Sequence, residues 1–162
     1  MQNGNMNISK IETIISEIPD PEIPVINIKE LGILRNIECK DNHYTVTITP
    51  TYTACPAMSF IENEIRNKLL RVGITDVEVK TTYTPAWTTD WISERAKQKL
   101  KEYGIAPPMH SSCAMNFTTQ KVTCPHCGSS DTKTISRFGS TACKSLLKCN
   151  ICKEPFEQFK CH

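Results

Sequence analysis

The chain has 162 residues, 39% of them apolar and 22% charged, with 19 Lys and Arg against 17 Asp and Glu. This is a globular composition, with no apolar run long enough to span a bilayer and no secretory core behind the opening MQNGNMNISK, so a cytoplasmic protein without membrane contact is expected. The length suits one ordinary domain of about 100 to 120 residues plus a small module.

In chain order, Ile8, Ile11, Ile15 and Ile18 recur at helical spacing until PDPEIP (19–24) stops the pattern, because proline removes backbone donors and restricts the residue before it. GILRNIEC (32–39) and HYTVTITPT (43–51) follow. In the second, Tyr44, Val46 and Ile48 alternate with threonines, and the KDN between the segments predicts a β-hairpin turn. Pro56 suits the first turn of a helix whose stripe of Met58, Ile61, Ile65 and Leu69 ends at Gly73, a C-cap residue. TDVEVKTTY (75–83) predicts a third strand. Thr88 or Thr89 is positioned to cap a last helix with Ile92, Ala96, Leu100 and Tyr103 on one face, ending near Gly104. The order α-β-β-α-β-α implies an α+β fold, a small two-layer sandwich with helices on one face of a short mixed sheet.

Residues 106–122 hold prolines and small polar residues and divide the chain into a domain over 1–105, a linker over 106–122 and a module over 123–162. Charge shifts at the same place. Residues 1–122 carry 13 basic and 14 acidic side chains, and residues 123–162 carry six and three, too mild an excess to mark a nucleic-acid surface.

Cysteine is concentrated in the module: six of nine lie at or beyond Cys124. An odd count with no signal peptide favours reduced thiols and metal ligation over a disulfide framework. Cys124-x2-Cys127 and Cys149-x2-Cys152 are two knuckles that can close one tetrahedral thiolate site. Gly128 after the first knuckle supplies the positive φ such turns need. Four sulfurs leave no open coordination position, so the site is expected to be structural, holding zinc, with iron left open by the spacing. CPHC also spells a thioredoxin-type redox pair, but the answering CNIC argues against that use. Cys143, Cys161, Cys113 and Cys39 are read as packing or exposed thiols, and His126 and His162 as solvated.

In the first domain, Cys55 lies at a helix start, where free N–H groups and the dipole favour a thiolate; Thr51 and Thr53 are candidates to add hydroxyl bonds. Packing as a small hydrophobe is the alternative. Asp20 and Glu22 flank a proline and offer either metal ligands and acid–base groups or an ordinary turn. The chain lacks the Glu-x-x-His pairs of di-iron oxygenases and any Gly-x-Gly-x-x-Gly nucleotide fingerprint, so it is not expected to be an enzyme.

DPEIPVINIKELGIL followed by TPTYTACPAMSFIENEI resembles the small iron–sulfur assembly domain of SufT-like proteins, on Asp20, Glu22, Leu31, Gly32, Thr51 and Cys55. The tail, with RFGSTACK and EPFEQFK around its cysteines, together with TYTPAWTTDWISERAKQKLKEYGIAPP, resembles the PaaD family of bacterial phenylacetate degradation. The resemblance implies a C-terminal zinc ribbon. It also implies an accessory or maturation role toward the phenylacetyl-CoA 1,2-epoxidase, a multicomponent oxygenase, with Cys55 a transient iron–sulfur ligand. The partners expected are epoxidase components or their iron–sulfur reductase, with a homodimer left open. The competing readings are a structural subunit of the oxygenase complex and a zinc-ribbon nucleic-acid binder using Phe138, Phe156 and Phe159 for stacking.

Overall fold

A computed structural model of the chain describes residues 7–108 and 121–160. Two compact units divide at Trp87 and Thr88.

In the first unit, α1 (Ile8–Ser16) is capped by Asn7, whose side chain accepts the Ser9 N–H at 3.1 Å. It buries Ile11 and Ile15, and Ile18 just beyond it, while Ile8 at its first position is exposed. β1 (Leu34–Lys40) and β2 (His43–Ile48) form the expected antiparallel hairpin, with Lys40 opposite His43. Asp41 and Asn42 both have positive φ, the two-residue turn whose twist matches that of the strands. α2 (Ala57–Arg71) lays Ile61, Ile65 and Leu69 fully into the core, each worth about 1.5–3 kcal/mol. Gly73 at φ +86° ends it, with its N–H on the Leu70 carbonyl and that of Ile74 on Leu69. β3 (Val77–Thr81) then runs parallel to β2, giving a mixed sheet in the order β1-β2-β3 with α1 against β1 and α2 against β3. The parallel pairing places the loop after β2, the start of α2 and the loop after β3 at the same end of the sheet.

In the second unit, a 3₁₀ turn (Thr89–Trp91) precedes α3 (Glu94–Glu102). Thr88 does cap, but it caps the 3₁₀ turn; the N-cap of α3 is Ser93, whose hydroxyl accepts the Ala96 N–H at 3.1 Å. Ile92, Ala96 and Leu100 are buried as expected, whereas Tyr103 is exposed. Through Gly104, at φ +88°, the chain passes directly into β4 (Ile105–Ala106), which pairs parallel with β7 (Pro155–Phe159). β5 (Thr132–Ser136) and β6 (Lys144–Cys149) complete a sheet in the order β4-β7-β6-β5. The last helix of the expected sandwich is grouped with the ribbon strands in the second unit, and it leads into β4 without a spacer. Most of the expected linker, with Cys113, lies outside the described residues, as do Cys161 and His162. Among the described residues no helix is long and apolar enough to cross a membrane.

Candidate functional site

Two thiol sites have chemistry to offer, a cluster of four cysteines and a single one. In the second unit, the sulfurs of Cys124, Cys127, Cys149 and Cys152 all lie within 4.8 Å of one another. Cys124 and Cys152 are 3.8 Å apart, and Cys127 and Cys149 3.5 Å apart. A tetrahedral ion with metal–sulfur bonds of about 2.3 Å requires sulfur–sulfur edges of about 3.8 Å, so the cluster has the dimensions of a zinc site. The two knuckles have matching backbones. The Cys124 N–H bonds the Ser129 carbonyl at 2.9 Å, and the Cys149 N–H bonds Glu154 at 3.0 Å. Gly128 follows the first pair at φ +75°, and Lys153 follows the second at φ +67°. The second turn therefore adopts the left-handed conformation without a glycine to advertise it.

Burial opposes ionisation of Cys149, but N–H bonds from Cys152 and Ile151 and the neighbouring thiols bring its thiol down to about 7. Cys152 receives an N–H bond from Glu154, yet burial and the other three sulfurs push it up to about 12. Four thiolates at this spacing need a dication between them. The metal-side core consists of Ala106, Val122, Leu147 and Phe156 around the cysteines. His126 is exposed and meets Phe156 edge-on, outside the ligand cluster. Cys143 is buried, with Sγ 3.1 Å from Thr141 Oγ1, and no disulfide joins any described cysteine.

In the first unit, Cys55 directly precedes Pro56, the N-cap of α2, and is half-buried. The expectation of a stabilised thiolate is reversed: its pKa is raised. Burial is the largest cause. The Ala57 N–H at the helix start favours the anion, as does the Tyr52 phenol, but the charges of Glu22 and Asp20 act against it. The structure thus brings together Cys55, Asp20 and Glu22, which lie more than 30 residues apart in sequence. Asp20 also makes the ordinary turn, since its buried Oδ1 accepts the N–H groups of Glu22 at 2.9 Å and Ile23 at 2.8 Å. That turn holds Glu22 in place.

Thr51 is buried in the same loop, but among the described residues neither it nor exposed Thr53 bonds the sulfur; Tyr52 takes that role. Thr49 opens the loop with a buried hydroxyl that has no partner among the described residues. Leu31 and Gly32 are structural: Gly32 turns at φ +77°, and the buried Trp87 indole donates to the Leu31 carbonyl at 2.9 Å. Of the three ribbon aromatics considered for stacking, Phe156 and Phe159 are buried and only Phe138 is exposed.

The family model described as the PaaD zinc beta ribbon domain matches residues 108–160. A protein of Escherichia coli (strain K12), provisionally named as one of the subunits of 1,2-phenylacetyl-CoA epoxidase, is 45% identical over 154 residues, covering 95% of this chain and 93% of its own. The chain belongs to the PaaD family. In this PaaD-family chain, residues 8–81 also match the model for iron–sulfur cluster assembly proteins, which ends shortly before the first unit does. An Fe–S protein maturation auxiliary factor of Porphyromonas gingivalis (strain ATCC BAA-308 / W83) is 38% identical, over 56% of this chain and 87% of its own length. Among solved structures, a domain of unknown function (DUF59) from Bacillus anthracis aligns with a TM-score of 0.53 at 25% identity, over 57% of this chain and 89% of its own. A conserved hypothetical protein of Thermotoga maritima aligns at 0.52 and 22% identity, over 62% of this chain and 98% of its own, and supports the same α+β fold.

Proposed function

We propose that this protein is an accessory factor that helps load iron or an iron–sulfur cluster into a component of the phenylacetyl-CoA epoxidase system, either an oxygenase component or its iron–sulfur reductase. The observation that carries the reading is the division of likeness along the chain. The end-to-end relative is named as an epoxidase subunit, whereas a maturation auxiliary factor matches only 56% of the chain and the iron–sulfur cluster assembly model only residues 8–81. That first unit holds a half-buried thiol that feels the charges of two carboxylates, Glu22 and Asp20.

The cluster or iron is cargo. Cys55 would contact it transiently, with Glu22 and Asp20 keeping the thiol protonated at rest; an incoming cation would offset those charges and release the proton. A thiol that ionises only when a metal arrives is suited to taking up and giving away. The ribbon would hold a resident zinc through Cys124, Cys127, Cys149 and Cys152, a closed site that supplies folding free energy and no open coordination position.

The test is complementation. Cells expressing the epoxidase with this chain carrying Cys55→Ser should show strongly reduced cofactor loading and activity, and full loading would refute the role given to Cys55. The name of the end-to-end relative supports a second reading, a structural subunit of the oxygenase. Stable stoichiometric co-purification with active enzyme would favour that reading over a transient factor.

A further inference from the structure

RFGSTACK and EPFEQFK are spelled out around the cysteines, yet most of their residues are not needed to hold a metal. The fold brings the two segments together. Glu157 on β7 pairs with Lys144 on β6, Oε2 to Nζ at 2.9 Å, and the lysine side chain is only 4% exposed. The carboxylate also accepts the Ser140 N–H through its other oxygen, and the Ser140 hydroxyl at 3.1 Å. Gly139 leaves the space for this: a Cβ there would stand 2.5 Å from Glu157 Oε1. Its N–H donates to the Lys144 carbonyl at 2.8 Å. On the other side of the loop, Lys160 donates to the Arg137 carbonyl at 3.2 Å and places its ammonium 4.7 Å over the Phe138 ring.

All of this fixes a loop that contributes little to its own core. Phe138 at its tip is 64% exposed, and Ile135, at the irregularity of β5, is 53% exposed. A buried ion pair is an expensive way to shape a loop. What it produces here is a pre-ordered aromatic, the kind of residue that dominates protein interfaces when it enters a pocket. Charge identifies the other side. Lys133 and Lys148 stand directly opposite each other across β5 and β6, a like-charge pair that costs stability. Among the described residues neither they nor Arg137 has an acidic partner. β5 is also an edge strand of the sheet.

We propose that the β5–β6 loop, residues 137–143, with the adjoining face of β5, is the surface through which the protein docks on its client, Phe138 entering an apolar pocket rimmed by carboxylates. This rests on the reading that the client belongs to the epoxidase system. A protein pocket is favoured over nucleic acid because one face of Phe138 is already covered by Lys160, and the buried Phe156 and Phe159 offer no second ring for a neighbouring base.

The test titrates the full, metal-loaded chain against each purified epoxidase component of the source organism, at low and high salt. Phe138→Ala should weaken binding about tenfold or more while metal content and circular dichroism stay unchanged, and Arg137→Glu should weaken it and flatten its salt dependence. Binding by both variants equal to wild type would overturn the inference and leave the proposed function standing. Salt-dependent binding of single-stranded oligothymidine that requires Phe138 would also overturn it, in favour of nucleic acid. If wild type binds no component, the docking surface is refuted; the proposed function falls with it only if cells lacking the chain still load the epoxidase fully.

Discussion

The two thiol sites are built on opposite principles. In the ribbon, four sulfurs converge within 4.8 Å on two matching turns, an arrangement that can hold a cation. At the start of α2, one sulfur is half-buried beside Asp20 and Glu22 and is discouraged from ionising. Under the proposed function the first site would bind permanently and the second would make only brief contact. A helix start alone does not make a thiolate: burial and the charges of Glu22 and Asp20 outweigh the Ala57 N–H and the Tyr52 phenol at the sulfur.

The contrast can be broken most severely at the ribbon. Removing the metal with a chelator, or replacing Cys124 by Ser, should unfold the second unit while residues 7–87 keep their structure. Structural zinc contributes on the order of 10 kcal/mol to such modules. Heteronuclear NMR would show the ribbon signals collapse and the first unit's persist. The next largest effect is expected for Glu157→Gln, which leaves Lys144 buried without its partner and should cost about 3 kcal/mol in urea unfolding of the ribbon.

The pH dependence of that pair has a definite sign. Burial works against the Glu157 carboxylate, but the bonds from Ser140 and Lys144 outweigh it and hold its pKa below the ordinary 4.5. The contribution is therefore fully present above that value and is lost as pH falls through the lower, folded one.

Smaller changes sharpen the Cys55 side. Glu22→Gln removes one of the charges opposing ionisation and should raise the rate of Cys55 alkylation by iodoacetamide at pH 8 several-fold, whereas wild type should react slowly and accelerate toward higher pH. An unchanged rate would show that Glu22 does not control the thiol. Cys55→Ser should alter thermal stability least, by under about 1 kcal/mol, because the half-buried side chain contributes little to the core.

Much of this was legible in the sequence wherever a single residue type carries the signal. The isoleucine stripe from Ile11 to Ile18, a hairpin turn within KDN, the α2 stripe ending at Gly73 and the knuckle glycine Gly128 appear as read, while Ile8 is exposed. What escaped notice depends on context. β4 is two residues long and has no period to detect. Ser93 and Thr88 are both good caps, and only the intervening 3₁₀ turn decides which belongs to α3. Lys153 adopts the left-handed conformation that glycine usually announces. Nothing local distinguishes Tyr52 from the threonines around Cys55, and the pairing of Lys144 with Glu157 joins two strands that no local pattern connects. Asp20 and Glu22 could be named from the Asp-Pro-Glu turn, but their effect on Cys55 required the fold.

The most direct test of the distinction between a resident and a transient site is metal analysis of the anaerobically purified wild-type chain and its Cys55→Ser variant, with absorption spectra. One zinc per chain in both, without charge-transfer bands, is the predicted result. Iron with such bands in wild type, lost in Cys55→Ser, would contradict it and make Cys55 the holder of a standing cluster.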